Sequence, residues 1–257
     1  MKRSAIVTGA AGAIGRAVVG RFVASGFNIL LVDRDEDALK EAIAGAGGGA
    51  RLLPHVADVT RPEDVKAAMD NAISSFGTID TLINIAGGGG PRRTMGIEDI
   101  DLDLWNYVMA LNVTSTFLFS QAVMNAMRQH GFGRIVNFSS ILAYGEKGPP
   151  TTVPGRLAYA TAKAALIGLT SQLAKDVGKD GVTVNCIVPG LILGQPGTRV
   201  RGRFDALSDS DRARMLEGYP CGRAGTSDDV AAAVEFLVSE GAGYISGVAL
   251  PVDGAYL

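Results

Sequence analysis

Cysteine and histidine are almost missing: the 257 residues hold two of each. Cys186 and Cys221 stand in unrelated segments without CxxC spacing. That excludes a disulfide framework or a redox dithiol and points to a reducing compartment. His55 and His130 have no ligand-spaced partner, and neither HExxH nor a carboxylate cluster occurs, so no metal site is implied. A surplus of either charge is also lacking. Lys and Arg number 24 against 26 Asp and Glu, a net charge of −2, where a nucleic-acid partner demands a clear basic excess. No run of about 18 apolar residues is present to span a membrane. The basic start, Met1 to Arg3, leads into an apolar stretch too short for a signal-peptide core. Linkers, repeats and composition shifts are absent as well. The expectation is a soluble, cytoplasmic, single-domain protein over 1–257, long enough to bury roughly three quarters of its unfolded surface.

What is present is a regular alternation. Short, nearly all-apolar runs at Ser4–Val7, Asn28–Val32, Arg51–Val56, Thr81–Ile85, Arg134–Phe138, Thr183–Val188 and Val248–Val252 read as strands. Helical patterns lie between them at Ile14–Ser25, Asp35–Ala44, Pro62–Phe76, Leu104–Gln129, Ala158–Val177 and Ser227–Ser239. Pro54 weakens the third strand. Strands alternating with helices predict an α/β fold, a doubly wound parallel sheet with helices on both faces. Two segments break the beat. Gly145–Arg156 carries Pro149, Pro150 and Pro154, and Gly190–Asp205 is rich in Gly and Arg. Both follow strands on the carboxyl side, where ligands bind in such sheets, and 145–156 and 190–217 are expected to border a substrate.

Thr8-Gly9-Ala10-Ala11-Gly12-Ala13-Ile14-Gly15 joins the first strand to the first helix. Glycines there permit a tight turn and let helix N-terminal N–H groups approach a pyrophosphate, although Gly also serves plain helix–strand packing. Asp33, ending the second strand, is placed to accept both ribose hydroxyls of an adenosine and to repel a 2′-phosphate, which favours NAD over NADP. Arg34 pulls weakly the other way. Asp58-Val59 closes the third strand, to touch an adenine edge or to cap the next helix. Farther on, Tyr159 and Lys163 are four apart at the start of a helix and share a face. An ammonium near a phenol favours the phenolate and lowers its pKa from about 10. Such a pair can serve the proton that an alcohol/ketone couple exchanges as hydride moves.

Taken in order, Thr8–Gly15, Asp58-Val59, Asn84–Gly87, Asn112, Ser140, Tyr159–Lys163 and Asn185–Gly190 resemble the short-chain dehydrogenases/reductases. The likeness covers essentially the whole chain and is to the single-domain branch that includes 3-oxoacyl-carrier-protein reductases. It implies a Rossmann-like fold, NAD(P) as cofactor and a secondary alcohol or ketone as substrate. Tyr159 would be the general acid/base. Lys163 would lower its pKa and bind the nicotinamide ribose, Ser140 would hold the substrate oxygen, and Asn112 would anchor a water of the proton relay. Gly9, Gly12, Ile14, Gly15, Asp33, Asp58, Val59, Ile85 and the backbone of Ile192 would hold the dinucleotide. The resemblance also implies a homotetramer, joined through Leu104–Gln129, Ala158–Val177 and the last strand.

The chain departs from the family pattern at several positions. Ala13 replaces the middle glycine of the first turn, and Gly12 stands where NADP-preferring members often carry a basic residue, which supports NAD. Ile85 replaces a second Asn, so any contact there is through backbone. Gly194 replaces a Thr that clamps the carboxamide. The interval from Ser140 to Tyr159 is longer than usual. Arg199, Arg201 and Arg203 follow at alternate positions and read either as a recogniser of an anionic substrate group or as a basic loop balanced by Asp205, Asp209 and Asp211. Arg92 and Arg93 present the same choice. Two rival functions share the fold: a non-catalytic dinucleotide sensor, disfavoured because Asn112, Ser140, Tyr159 and Lys163 are all present, and a lyase or epimerase, disfavoured because no extra C-terminal region follows.

Overall fold

The computed structural model describes residues 3–47, 51–94, 96–146, 152–153 and 156–257. Its strands β1 Ser4–Thr8, β2 Asn28–Asp33, β3 Leu52–Val56, β4 Thr81–Asn84, β5 Gly133–Phe138 and β6 Val182–Pro189 are joined by β9 Ala249–Val252 into one sheet. Two short strands, β7 Ile192–Leu193 and β8 Gly225–Thr226, pair only with each other. The seven strands run in the order β3-β2-β1-β4-β5-β6-β9, and every pairing is parallel. The predicted doubly wound architecture is therefore the observed one.

The nearly unbroken apolar runs arise because both sheet faces are covered. Alternate strand residues feed different cores. Ala5, Val7, Ile29, Leu31, Ile83 and Val136 pack with Val18, Phe22 and Val234 under α1 (Ala13–Ala24), α2 (Glu36–Gly45) and α9 (Ser227–Val238). Ile6, Leu30, Leu82, Ile135 and Val184 pack with Ala68, Phe119 and Val177 under α3 (Pro62–Phe76), α5 (Ser115–His130) and α6 (Arg156–Val177). A period of two sending successive side chains to opposite, equally apolar layers is what a parallel sheet requires. Pro54 fits because β3 is an edge strand, so its missing N–H removes no interior ladder bond. β1 has β2 on one side and β4 on the other. The chain thus winds in opposite directions from β1 and leaves a crevice at its carboxyl end.

The region expected as one helix, Leu104–Gln129, is α4 (Leu102–Met109), a π turn at Ala110–Thr114 and α5 in unbroken succession. The π turn falls on Asn112, a polar residue between apolar Leu111 and Val113. This stretch spans 29 residues and holds an 18-residue window of mean hydropathy 1.2, which reaches membrane-spanning length and composition. Its apolar side is instead committed to the sheet through Phe119, Val123 and Met127.

The segment after Gly190 departs from expectation. Beyond β7 it forms two helices, α7 (Arg199–Asp205) and α8 (Asp209–Glu217), where no periodicity was legible. Their apolar signal is weak because α7 fully buries only Phe204 and α8 buries no residue fully. Polar devices hold them instead: the Asp211 N–H donates to Ser208 Oγ at the start of α8, and Arg201 pairs with Asp205 four residues on in α7. Of the other irregular segment, 147–151 and 154–155 lie outside the described residues.

Candidate active site

The glycine turn sits at the crevice. Gly9 takes φ +66°, and a Cβ there would stand 2.9 Å from the Ala86 nitrogen; one on Gly15 would stand 2.3 Å from the Gly9 carbonyl oxygen. Only bare backbone lets the turn fold this tightly against α1 and the end of β4. Gly12 is the N-cap of α1, and no side chain caps the helix. The first-turn N–H groups are thus left for a ligand, and the helix dipole favours an anion there. Thr8 Oγ1 accepts from the N–H groups of Ile85 and Ala86 at 3.1 and 3.2 Å, tying the β1 and β4 loops together.

Three bonds fix how α6 lies on β5. Asn137 Nδ2 donates to Thr170 Oγ1 at 2.9 Å, Ser139 Oγ to the Lys163 carbonyl at 2.7 Å, and Lys163 Nζ to the Phe138 carbonyl at 2.7 Å. Both adjacent serines line a cavity of about 180 Å³ with Tyr159 and Lys163, but their hydroxyls part in role: that of Ser139 buttresses the helix, while that of Ser140 accepts from the Leu142 N–H and bonds with the Tyr159 phenol. Ile14, Ile85 and Ile192 line the same cavity. Lys163 Nζ lies 5.4 Å from the centre of the Tyr159 ring. Burial pushes the Tyr159 phenol up to about 12, while the Ser140 hydroxyl and the Arg199 charge draw it down. Burial also lowers Lys163 to about 8, against a small opposing effect of Cys186. The groups that draw the phenol down are Ser140 and Arg199 rather than the expected Lys163, and burial outweighs both.

Asn112 stands outside the cavity wall and supports it. Fully buried, it donates from Nδ2 to the carbonyls of Val108 (2.8 Å) and Gly88 (2.9 Å), and accepts from the Gly88 N–H at 3.1 Å. The π turn makes this possible by placing a mid-helix side chain against a neighbouring loop. A Cβ on Gly87 would lie 2.5 Å from Asn112 Oδ1 and 3.1 Å from Lys163 Nζ.

The remaining expected contacts are distributed around the crevice. Asp33 accepts from the N–H groups of Ala11 (3.1 Å) and Arg34 (2.8 Å), which holds its carboxylate beside the glycine turn. Asp58 is neither helix cap nor free: its Oδ1 closes a turn onto the N–H and hydroxyl of Thr60, which lowers its pKa. Val59 is buried in the core, so its side chain is committed to packing. The Ile85 N–H, one candidate backbone contact, is occupied by Thr8. Gly194 leaves room that is already filled: a Cβ there would meet the Ala13 Cβ at 2.5 Å and Thr198 Oγ1 at 2.9 Å. His55, on edge strand β3, bonds with Asn71 of α3, and His130 ends α5.

Two further wall residues were not singled out in the sequence, although Glu146 lies in the 145–156 segment expected to border a substrate. Tyr219 is buried, and its hydroxyl accepts from the Leu191 N–H at 2.9 Å, propping the turn that precedes Ile192. Glu146 lines the cavity and has a pKa raised by burial against the pull of Arg156. Both stand apart from any motif, and only folding brings them to the site.

A parallel sheet in this order, with an uncapped glycine turn at its crevice and Ser140, Tyr159 and Lys163 around one cavity, defines a protein of the dinucleotide-binding class. The profile of the family described as enoyl-(acyl carrier protein) reductase matches residues 9–256. The short-chain reductase NovJ of Streptomyces niveus is 37% identical over 253 residues, covering 97% of this chain and 92% of that protein. The 3-oxoacyl-[acyl-carrier-protein] reductase FabG of Salmonella typhimurium is 37% identical over 252 residues, covering 97% and 95%. The crystal structure of an NAD⁺-bound xylitol dehydrogenase superposes with a TM-score of 0.87 at 32% identity, covering 98% of each chain. The chain belongs to the short-chain dehydrogenase/reductase family.

Proposed function

We propose that the protein is an NAD(P)-dependent oxidoreductase, with NAD favoured, that transfers hydride between the nicotinamide and a secondary alcohol or ketone. The observation that carries this reading is the meeting of Ser140, Tyr159 and Lys163 at one cavity beside the glycine turn. Relatives named as reductases and dehydrogenases support it. A dinucleotide fits the chain's own features: bare backbone at Gly9 and Gly15 lets the turn pack tightly against α1 and the end of β4, and α1 offers uncapped N–H groups at that turn. Asp33, fixed beside that turn, would hold the adenosine ribose and oppose a 2′-phosphate. When bound, the nicotinamide supplies or accepts the hydride. Ser140 Oγ orients the substrate oxygen. With its raised pKa, Tyr159 is fully protonated at neutral pH and gives its proton to the oxygen of a ketone being reduced. In the reverse direction Tyr159 takes the proton back, and the Lys163 cation one helical turn away favours the phenolate that does so. Asn112 holds Gly88 and with it the edge of the crevice. The buried walls exclude water and strengthen each of these interactions.

The reading extends to a soluble, cytoplasmic homotetramer. Leu102, Tyr107, Phe117 and Leu157 are exposed on α4, α5 and α6, the helices expected to meet partner copies. Light scattering at micromolar concentration measures this directly.

Nicotinamide fluorescence titrations with NADH and NADPH, on the natural protein and on Tyr159→Phe, test the activity. We expect tighter NADH binding, retained by Tyr159→Phe, with turnover of an alcohol and ketone panel falling by about 10²- to 10⁴-fold. Undiminished turnover in that variant ends the assignment. Tighter NADPH binding ends the preference for NAD, and binding of neither cofactor puts the non-catalytic reading first.

A further inference from the structure

The three arginines at alternate positions of α7 meet different surroundings. Arg201 is paired with Asp205, Nε to Oδ2 at 2.8 Å, and Arg203 donates to the Thr152 carbonyl at 3.0 Å. Arg199 makes no ion pair or hydrogen bond among the described residues. Its guanidinium lies over Gly88 instead, where a Cβ would stand 3.7 Å from both Nη atoms. Asn112 clasps Gly88 through its N–H and carbonyl, and Gly87 packs on Asn112 and Lys163. Gly87 and Gly88 thus form a bare floor running from Lys163 and Asn112 to the guanidinium. Val200, the next residue of α7, lines the cavity with Tyr159 and Ser140, so the first turn of α7 stands at its mouth. The charge of Arg199 reaches the Tyr159 phenol, where it opposes the rise that burial causes, and it adds to the burial that lowers the pKa of Arg203. The guanidinium of Arg199 thus stands beside this rim with no counter-charge among the described residues, and an arriving anion would supply one.

We infer that Arg199 selects substrates carrying an anionic group, a carboxylate, sulfonate or phosphate, a few atoms from the reacting carbonyl. The inference deepens the oxidoreductase reading and rests on it. A guanidinium is suited to the task because its planar fork meets such groups with two parallel N–H donors. Arg201 and Arg203 are already engaged, which assigns the role to one arginine of the three. A phosphate of the dinucleotide is the other source of the same chemistry, and the test separates the two.

The experiment compares a β-keto acid with its methyl ester as substrates of the natural protein and of Arg199→Met, Arg199→Lys and Arg201→Met, with NADH binding followed by fluorescence. The natural protein is expected to prefer the acid. Arg199→Met should raise the KM of the acid by about 10- to 100-fold, the loss of a charge-assisted bond. The ester and NADH binding should change by less than about twofold. Arg199→Lys should recover part of the loss, and Arg201→Met should leave the acid-to-ester ratio where it was. Equal loss for acid and ester, with weakened NADH binding, assigns Arg199 to a cofactor phosphate and overturns the inference. No change in either substrate makes Arg199 an idle surface cation and overturns it too. A natural protein that reduces neutral ketones without preferring acids refutes the inference and leaves the oxidoreductase reading standing. A protein that reduces neither substrate and no other ketone refutes both.

Discussion

Asn112 sits at the one place where the longest helix loses its regular winding, and its removal should be costly. Asn112→Ala deletes three hydrogen bonds at once, to the Val108 carbonyl and to both backbone groups of Gly88. Each is worth about 1 kcal/mol net, and a buried group left unpaired adds about 1–3 kcal/mol. Gly88 is only partly buried, so water can take over one or both of its groups, while the Val108 carbonyl stays inside the helix. The sum is about 3–4 kcal/mol, or a fall in Tm of about 6–16 °C for a chain of this size. Asn112→Asp gives a sharper comparison. It keeps the bond from the Gly88 N–H but sets a carboxylate oxygen against two carbonyls and buries a charge. Its pKa would be raised above the unfolded value, so its penalty is full at neutral pH and fades as pH falls through the folded pKa towards about 4. The expected order at pH 8 is natural protein, then Ala, then Asp, with Asp gaining on Ala as pH drops. Calorimetry across pH measures it. A Tm for Asn112→Ala within about 2 °C of the natural protein refutes the reasoning, as does an Asp variant more stable than the Ala variant at pH 8.

Three further outcomes follow from close contacts and charge. Gly87→Ala pushes a methyl group into Asn112 Oδ1 and Lys163 Nζ, so turnover should drop by about 100-fold with the fold intact by circular dichroism; normal turnover there would contradict the packing. Gly194→Ala overlaps the Ala13 Cβ at 2.5 Å and Thr198 Oγ1 at 2.9 Å and should cost about 1–3 kcal/mol in urea unfolding. Adding Ala13→Gly should return about 0.5–1 kcal/mol of that, and strict additivity would count against the clash. Lys163→Met concerns a lysine whose folded pKa of about 8 lies below the model-peptide value of 10.5, so its burial penalty is full below pH 8 and disappears as pH rises from 8 to 10.5. That penalty is about 3 kcal/mol, offset by loss of the Phe138 carbonyl bond at about 1–2 kcal/mol. The variant should therefore be inactive yet more stable than the natural protein at pH 7, with the advantage shrinking towards pH 10; a variant less stable at pH 7 would show that the charge is well solvated.

The fold was legible because its signals are local and repeated. Strands such as Ser4–Thr8 and Asn28–Asp33 differ from their expected bounds by one residue, since an apolar run bounded by Gly or Asp leaves few alternatives. α7 and α8 were not legible. They lie on the rim, bury little, and are held by side-chain caps and ion pairs that resemble a charged loop when read in one dimension. The four expected catalytic positions were named from motif order. That Asn112 clasps Gly88, or that the Ser139 hydroxyl serves the Lys163 carbonyl while that of Ser140 meets the Tyr159 phenol, depends on which atoms folding brings together.

Period-two apolar strands, the glycine turn at Gly9 to Gly15 and the Tyr159–Lys163 spacing are carried by near neighbours in the chain, so the sequence by itself determined the parallel sheet, the place of the crevice and the family. The tertiary structure decided everything that depends on residues far apart. It set Tyr219 under the Leu191 N–H, Glu146 in the cavity wall, Thr198 in the space beside Gly194, and Arg199 over Gly88 at the mouth of the site. It also decided the charges, because burial raises Tyr159 and lowers Lys163 by amounts that no spacing contains. Desolvation belongs to the packed interior as a whole, and only the assembled molecule has one.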